Sequence, residues 1–161
     1  MKVDQVMTKD VFVVRPDDTV AGAVKKLAEY GISGAPVVDH EGRLVGIITE
    51  ADILNALKVK YKRLQMVYPS LSLVSVSFVE TFDNKEAVEA FNEISTSMVS
   101  ELMTKDVVTI ENGSELGQVI QLMMDKKVNR IPVMEDGELV GIVSRADVMK
   151  GLASSEIVLK V

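Results

Sequence analysis

The chain has 161 residues, of which 47% are apolar and 26% charged, and it carries a formal net charge of −6 and no Cys. This composition fits a globular chain with a core of its own and argues against intrinsic disorder. The negative charge disfavours non-specific binding to a phosphate backbone, and the lack of Cys excludes disulfides, thiolate catalysis and zinc–thiolate sites.

The first predicted elements are a strand and a helix. Val11–Val14 is a short β-branched run of the kind found in strands. Asp18 is placed to cap a helix over residues 19–30, because the apolar residues that follow recur at helical spacing. Gly31 is the expected end of that helix.

A hairpin and a second helix come next. Pro36–Val38 and Leu44–Ile48 predict two strands, which the turn Asp39–Gly42 joins. A further helix is expected from about Ala51. Residues 1–60 therefore predict one unit with the order strand, helix, strand, strand, helix.

Residues 61–97 predict an inserted segment with an extended part and a helix. Leu71–Phe78 alternates imperfectly between apolar residues and serine, which suits an edge strand or a packed extended segment. Asp83–Glu86 resembles a capping box at the start of a helix. The apolar side of this helix would comprise Val88, Phe91, Ile94 and Met98.

The chain then repeats itself over residues 98–153. The sequence Met-Thr-Lys-Asp-Val near the N-terminus returns at 103–107, and the hairpin returns with a turn one residue shorter. In this repeat Ser114 takes the cap position and Lys127 replaces Gly31, so we expect the helix to end differently. Ordered similarity over this length indicates duplicated units.

The duplication predicts how the core is filled. A single unit of about fifty residues can hardly fill a core alone. We therefore predict an α/β (α+β) domain in which two β-α-β-β-α units pack through their sheets with pseudo-two-fold symmetry. Residues 154–161 would form a C-terminal tail.

Each hairpin is followed by a hydroxyl and an aspartate three residues apart, Thr49 with Asp52 and Ser144 with Asp147. One interpretation is a helix N-cap, in which the hydroxyl accepts a hydrogen bond from a backbone N–H and the acid lies at the positive end of the helix dipole. The other is a ligand site, in which the aspartate accepts hydrogen bonds from both hydroxyls of a ribose. The nearby N–H groups at the start of the helix would be open to an anion. Recurrence after the same Leu-Val-Gly-Ile strand favours the second, and both roles are compatible.

Together these elements resemble the CBS domain (cystathionine β-synthase-like). The resemblance rests on Met-Thr-Lys-Asp-Val, a helix, an apolar-Pro-Val strand and Gly-x-Leu-Val-Gly-Ile-(Ile/Val)-(Thr/Ser)-x-x-Asp, each present twice in order. The two copies, over residues 1–60 and 98–153, resemble a tandem CBS pair, or Bateman module. That resemblance implies homodimers and two clefts between the repeats that bind AMP, ADP, ATP or S-adenosylmethionine.

The resemblance also implies which residues form each cleft. Cleft A would comprise Asp147, Ser144, Arg130, Arg145, Thr8, Val13, Ile32 and Ser33. Cleft B would comprise Asp52, Thr49, Thr104, Thr109, Val128 and Asn129.

The two predicted clefts differ in charge. Arg130 matches a position that in the family often holds a phosphate-binding basic residue, and its counterpart in the first repeat is Gly34. Arg145 likewise corresponds to Glu50. A guanidinium can bind two phosphate oxygens at once, although both arginines could instead pair with surface acids. We expect cleft A to prefer phosphorylated ligands, and cleft B to stay empty or take a less anionic adenosyl compound.

The sequence thus predicts a stand-alone regulatory module that binds an adenosyl ligand and does no chemistry, since it has no recognisable catalytic set or metal-ligand spacing. The alternative is a structural interaction module with vestigial clefts, whose insertion binds an effector protein through residues such as Leu73 and Phe78. A cytoplasmic location is expected, because Met1–Gln5 lacks a signal-peptide core and no apolar run of about 18 residues occurs.

Overall fold

The computed structural model describes residues 1–67 and 85–155 and alternates helices with two small β-sheets. The elements before the insertion are α1 (Val20–Tyr30), β1 (Gly34–Val38), β2 (Leu44–Thr49) and α2 (Glu50–Val67). Those after it are α3 (Lys85–Ser95), α4 (Val99–Leu102), β3 (Ile110–Glu111), α5 (Leu116–Lys126), β4 (Arg130–Glu135), β5 (Glu138–Ser144) and α6 (Arg145–Ser154). The mixed α/β class predicted from the sequence is confirmed.

The described residues fall into two compact units, and each unit combines segments from both repeats. The first unit contains residues 1–13 and 38–45 and the described part of the chain from 105 onward. The second unit contains residues 14–37 and the described part of 46–104. Neither unit therefore consists of a single contiguous stretch of sequence.

The hairpin strand that precedes the hydroxyl–aspartate pair of each repeat pairs with the segment that begins the other repeat. In the first unit, the backbone of Thr8 exchanges two hydrogen bonds of 2.9 Å with Ile142 of β5. In the second unit, Thr104 makes the same pair of 2.9 Å bonds with Ile47 of β2. The segments Met7–Thr8 and Met103–Thr104 are thus exchanged between the repeats.

Two glycines make this close packing possible. A Cβ atom on Gly141 would overlap the sulfur of Met7, and a Cβ atom on Gly46 would overlap the sulfur of Met103. Both glycines are buried in the middle of a strand, where glycine often marks a close backbone approach. The Leu-Val-Gly-Ile pattern therefore needs its glycine so that the exchanged methionine can lie on the strand.

The core of the first unit lies between its sheet and the helices α5 and α6. Its buried residues are Val3, Leu116, Val119, Met123, Ile131, Val133, Val143 and Val148. In this sheet β3 pairs parallel with β4, and β4 pairs antiparallel with β5. Asp136 and Gly137, with φ of 50° and 83°, form the tight turn between β4 and β5, as in a type I′ hairpin.

The first hairpin closes by a different device. Asp39 Oδ1 accepts hydrogen bonds from the backbone N–H groups of Glu41 and Arg43, at 3.0 and 2.9 Å, and Oδ2 accepts from Arg43 Nε at 2.8 Å. The Arg43 N–H and guanidinium lower the pKa of Asp39, although partial burial opposes them. A charged side chain therefore holds this turn, where the second hairpin uses two residues of positive φ.

Three local predictions in the first repeat have different outcomes. The strand at Val11–Val14 is wrong, because in that run only Val14 forms a bridge, a parallel one to Val37. The cap at Asp18 is also wrong: Thr19 accepts the Gly22 N–H at 3.1 Å, and Asp18 accepts the Arg15 N–H instead. The helix does end at Gly31, with φ of 62°, as predicted.

The corresponding helix of the second repeat was also predicted imperfectly. Its N-cap is Glu115, and the Ser114 carbonyl accepts the Val3 N–H, so the predicted cap is wrong by one residue. Lys127 adopts the left-handed conformation of Gly31, with φ of 55°, and its N–H donates to the Met123 carbonyl. The expectation that this helix ends differently is wrong. The Val128 N–H donates to the Met123 carbonyl at 3.1 Å, as the Ile32 N–H donates to the Leu27 carbonyl at 3.0 Å, so both helices close with the same motif.

The helix predicted within the insertion is present as α3, and it packs against α1 and α2. Ile94 is buried, whereas Val88 and Met98 on the predicted apolar side are exposed. Leu71–Phe78, which includes Leu73 and Phe78, lies outside the described residues, as do Asp83, Asn84 and the last six residues. Among the helices that the structure describes, none is long and apolar enough to cross a membrane.

Candidate ligand-binding site

The Ser144–Asp147 pair forms a reciprocal cap at the start of α6. Ser144 Oγ accepts the Asp147 N–H at 3.2 Å, and Asp147 Oδ2 accepts the Ser144 N–H at 2.8 Å. Ser144 Oγ also donates to the same Oδ2 at 2.6 Å. The helix-cap interpretation is therefore correct for this pair, and it fixes the aspartate through one of its two oxygens.

The other carboxylate oxygen, Asp147 Oδ1, accepts no hydrogen bond from any residue that the structure describes. Asp147 is half-buried, so its orientation is fixed while Oδ1 still has acceptor capacity. A carboxylate oxygen held in this way can receive hydroxyl donors from a ligand without disturbing the cap.

The Thr49–Asp52 pair repeats the cap at the start of α2. Asp52 Oδ2 accepts the Thr49 N–H at 2.8 Å and the Thr49 hydroxyl at 2.9 Å, while Thr49 Oγ1 accepts the Asp52 N–H at 3.3 Å. Here, however, Oδ1 is also engaged, because Thr104 Oγ1 donates to it at 2.9 Å. The two aspartates thus share a cap and differ at the second oxygen.

Two arginines flank the Ser144–Asp147 pair, Arg130 on the neighbouring strand and Arg145 in sequence. Arg130, the first residue of β4, lies directly opposite Ser144 in the β4–β5 register and is half-buried. Arg145 follows Ser144; its N–H donates to the Asn129 carbonyl at 3.0 Å and its side chain is exposed. Within the described part of the chain Arg145 forms no ion pair, which argues against the surface-pairing interpretation for this residue.

The Thr49–Asp52 pair has the same backbone hydrogen bonds around it, but the neighbouring residues carry different charges. The Glu50 N–H donates to the Ser33 carbonyl at 2.9 Å, which matches the bond from Arg145 to Asn129. Glu50 is exposed, and Gly34, the counterpart of Arg130, is buried at the start of β1. The electrostatic difference predicted from the alignment is therefore present at two equivalent positions.

The structure brings together part of each predicted cleft. Thr8, Arg130, Ser144, Arg145 and Asp147 of cleft A share the first unit, and Thr49, Asp52 and Thr104 of cleft B share the second. The composition of the complete clefts stays a prediction, because each set draws members from both units.

The remaining members are placed as follows. Val13 lines a cavity of about 400 Å³ in the first unit, and Ile32 lines an apolar cavity of about 300 Å³ in the second. Ser33 contributes its carbonyl to the start of α2 and Asn129 its carbonyl to the start of α6. Val128 packs against the core of the first unit, and Thr109 is exposed just before β3.

Sequence reasoning missed the bond between Thr104 and Asp52. The two residues are far apart in sequence and belong to different repeats. A glycine in the middle of an apolar strand was the available signal, since it indicates a close backbone approach. Applied to Gly46, that signal predicts that another segment packs closely on β2, though not which segment it is.

Comparison with known proteins identifies the family of the chain. The CBS domain family model matches residues 3–59 and 99–154. The chain belongs to the CBS-domain family and carries a tandem pair of the domain, as predicted from its sequence.

Relatives of known sequence include two proteins of Methanocaldococcus jannaschii. Inosine-5'-monophosphate dehydrogenase is 34% identical over 150 residues, which are 92% of this chain and 23% of that protein. Uncharacterized protein MJ1426 is 30% identical over 154 residues, which are 94% of this chain and 91% of that protein. Because this chain spans less than a quarter of the dehydrogenase, the activity of that enzyme does not follow from the match.

A solved structure with a similar fold is CBSX2 in complex with AMP, and CBSX2 is a chloroplastic protein of Arabidopsis thaliana. The TM-score is 0.68 at 25% sequence identity, and the alignment covers 94% of this chain and 96% of that one.

Proposed function

We propose that this chain is a regulatory module that binds an adenosyl compound and catalyses no reaction. The observation that carries the proposal is the fixed Asp147 carboxylate, whose Oδ1 accepts no hydrogen bond from the described residues, with Arg130 directly opposite Ser144. Ribose hydroxyls are the donors that such an oxygen can receive, and a guanidinium suits a phosphate. The AMP bound to the related CBSX2 supports the same class of ligand.

The two sites should prefer different ligands. Arg130 lies opposite Ser144 in the β4–β5 register and Arg145 follows Ser144, whereas Gly34 and Glu50 hold the equivalent places in the first repeat. We therefore expect AMP, ADP or ATP at the Asp147 site. A less anionic compound such as adenosine or S-adenosylmethionine, or no ligand, is expected at the Asp52 site.

Regulation would follow from differential affinity. A ligand that binds one conformation of the module more tightly shifts the population toward it, and an effector protein could respond to that shift. A cytoplasmic location is part of this proposal.

Homodimerisation is also part of the proposal, and exposed apolar residues on two equivalent helices support it. Leu54 on α2 is 61% exposed and Met149 on α6 is 64% exposed, at matching positions of the two repeats. Light scattering after gel filtration should give twice the mass of the chain, and Leu54→Glu with Met149→Glu should give the monomer mass. A monomeric wild-type chain would contradict the dimer without affecting ligand binding.

Isothermal titration tests the function directly. AMP, ADP, ATP and S-adenosylmethionine are titrated separately into the full chain, and thermal unfolding is measured with and without each compound. Binding of at least one compound with a rise in Tm is expected, since a ligand of the native state stabilises it by mass action. Neither heat nor a Tm shift with any of the four would contradict the proposal.

A further inference from the structure

Thr8 and Thr104 hold equivalent backbone positions in the two units. Each pairs its N–H and carbonyl with a residue in the strand that precedes a capped aspartate, at 2.9 Å in all four bonds. Their hydroxyls behave differently. Thr104 Oγ1 donates to Asp52 Oδ1, whereas Thr8 makes no side-chain hydrogen bond with any described residue.

The difference changes how many acceptor positions each carboxylate has left. An ionised carboxylate offers about four acceptor positions, two on each oxygen. At Asp147 the cap takes both positions of Oδ2, through the N–H and hydroxyl of Ser144, and both positions of Oδ1 remain. At Asp52 the cap again takes Oδ2, and Thr104 takes one position of Oδ1.

We infer that Thr104 determines how many ribose hydroxyls the Asp52 site can bind, because its own hydroxyl donates a hydrogen bond to Asp52 Oδ1. The Asp147 site can accept both hydroxyls of a ribose, and the Asp52 site can accept one. The inference rests on the proposed function, and it assigns the Thr104 hydroxyl a role opposite to a ligand contact: it competes with the ligand for the carboxylate.

This role makes a distinct prediction about ligands. The Asp147 site should require both the 2′- and the 3′-hydroxyl of an adenosyl compound. The Asp52 site should tolerate the loss of one of them. Thr104→Val, which removes the hydroxyl and keeps the side-chain shape, should make the Asp52 site depend on both.

The experiment isolates each site by disabling the other. Asp147→Asn leaves the Asp52 site to be measured, and Asp52→Asn leaves the Asp147 site; in both cases the Asn oxygen can still accept the N–H of the capping residue. Adenosine, 2′-deoxyadenosine and 3′-deoxyadenosine are the titrants, because they test ribose recognition without a phosphate. Thermal unfolding of every variant checks that it is folded.

In the Asp147→Asn chain, adding Thr104→Val should raise the affinity for adenosine about tenfold, the lower end of the range for one hydrogen bond to a charged group. It should also introduce a penalty of similar size for the deoxynucleoside that the parent tolerated. Thr104→Ser retains a hydroxyl and should give a smaller effect than Thr104→Val. In the Asp52→Asn chain, the matched change Thr8→Val should not raise the affinity.

The outcomes separate the inference from the proposed function. A fall in affinity with Thr104→Val, an unchanged deoxynucleoside profile, or no binding at the Asp52 site with or without Thr104 would overturn the inference while the Asp147 site still binds. Absence of any adenosyl binding by the wild-type chain would overturn the proposed function, and the inference with it.

Discussion

The two hydroxyl–aspartate pairs have the same backbone frame and different surroundings. Both form reciprocal caps, and both lie beside a strand that pairs with an exchanged Met-Thr segment. Asp147 keeps an oxygen that accepts no hydrogen bond from the described residues, next to Arg145, whereas Asp52 receives the Thr104 hydroxyl next to Glu50. The duplicated frame thus sets where a site can form, and a few side chains decide what each copy can bind.

If the strand–segment contacts of the two repeats are equivalent, disrupting either one should lower the free energy of unfolding by the same amount. Gly141→Ala and Gly46→Ala each place a Cβ atom into the methionine of the exchanged segment. Overpacking of this kind costs about 1–3 kcal/mol, so we expect both variants to lose that much unfolding free energy in urea titrations. Gly117→Ala on α5, where nothing lies close to an added Cβ, is the control and should not be destabilised. A large loss in only one repeat would show that the frames are unequal.

The sharpest test of the ligand asymmetry is the pair Asp147→Asn and Asp52→Asn. A hydrogen bond to a charged group contributes about 1.5–3 kcal/mol, and ~2 kcal/mol corresponds to roughly thirtyfold in affinity. Asp147→Asn should weaken AMP binding by that factor in isothermal titration, and Asp52→Asn should weaken it much less. Equal losses from both changes would contradict an asymmetric pair.

The local half of this comparison could be predicted from the sequence. Gly31 as a helix end and Asp147 as part of a capped pair follow from patterns that span a few residues. The cap at Asp18 was missed by one residue because contacts distant in sequence decide it: the Asp18 carbonyl accepts the Val99 N–H, and Thr19 forms a bridge with Met98.

The non-local half could not be predicted from local patterns. The exchange of the Met-Thr segments depends on Met7 meeting Gly141, and nothing within a short window pairs those two positions. The bond from Thr104 to Asp52 follows from the same exchange. The resemblance to the CBS family predicts Thr8 with Asp147 and Thr104 with Asp52, and each of these two pairs shares a unit. It gave no basis for a difference between Thr8 and Thr104.

Charge reversal at the exposed positions tests the electrostatic part of the comparison. Arg145→Glu should lower the ratio of AMP to adenosine affinity at the Asp147 site about threefold, as expected for one exposed charge. The matched change Glu50→Arg should raise the same ratio at the Asp52 site. Both effects should shrink at about 1 M salt, where screening is strong. Ratios that stay constant would show that these side chains do not contact the phosphate.

The smallest expected effect is a difference between the two hairpin turns in how their contribution to stability depends on pH. The Arg43 N–H and guanidinium lower the pKa of Asp39 below its ordinary value of about 3.9. A lowered folded-state pKa stabilises the fold above the ordinary value, and that contribution is lost as pH falls through the lowered one. Asp39→Asn should therefore reduce Tm at pH 7, and the difference from wild type should narrow below about pH 4. Asp136→Asn is the matched control, because Asn also suits a type I′ turn, and its difference from wild type should not follow that course. A constant difference for Asp39→Asn across the pH range would mean that the Arg43 clasp does not stabilise the first turn through charge.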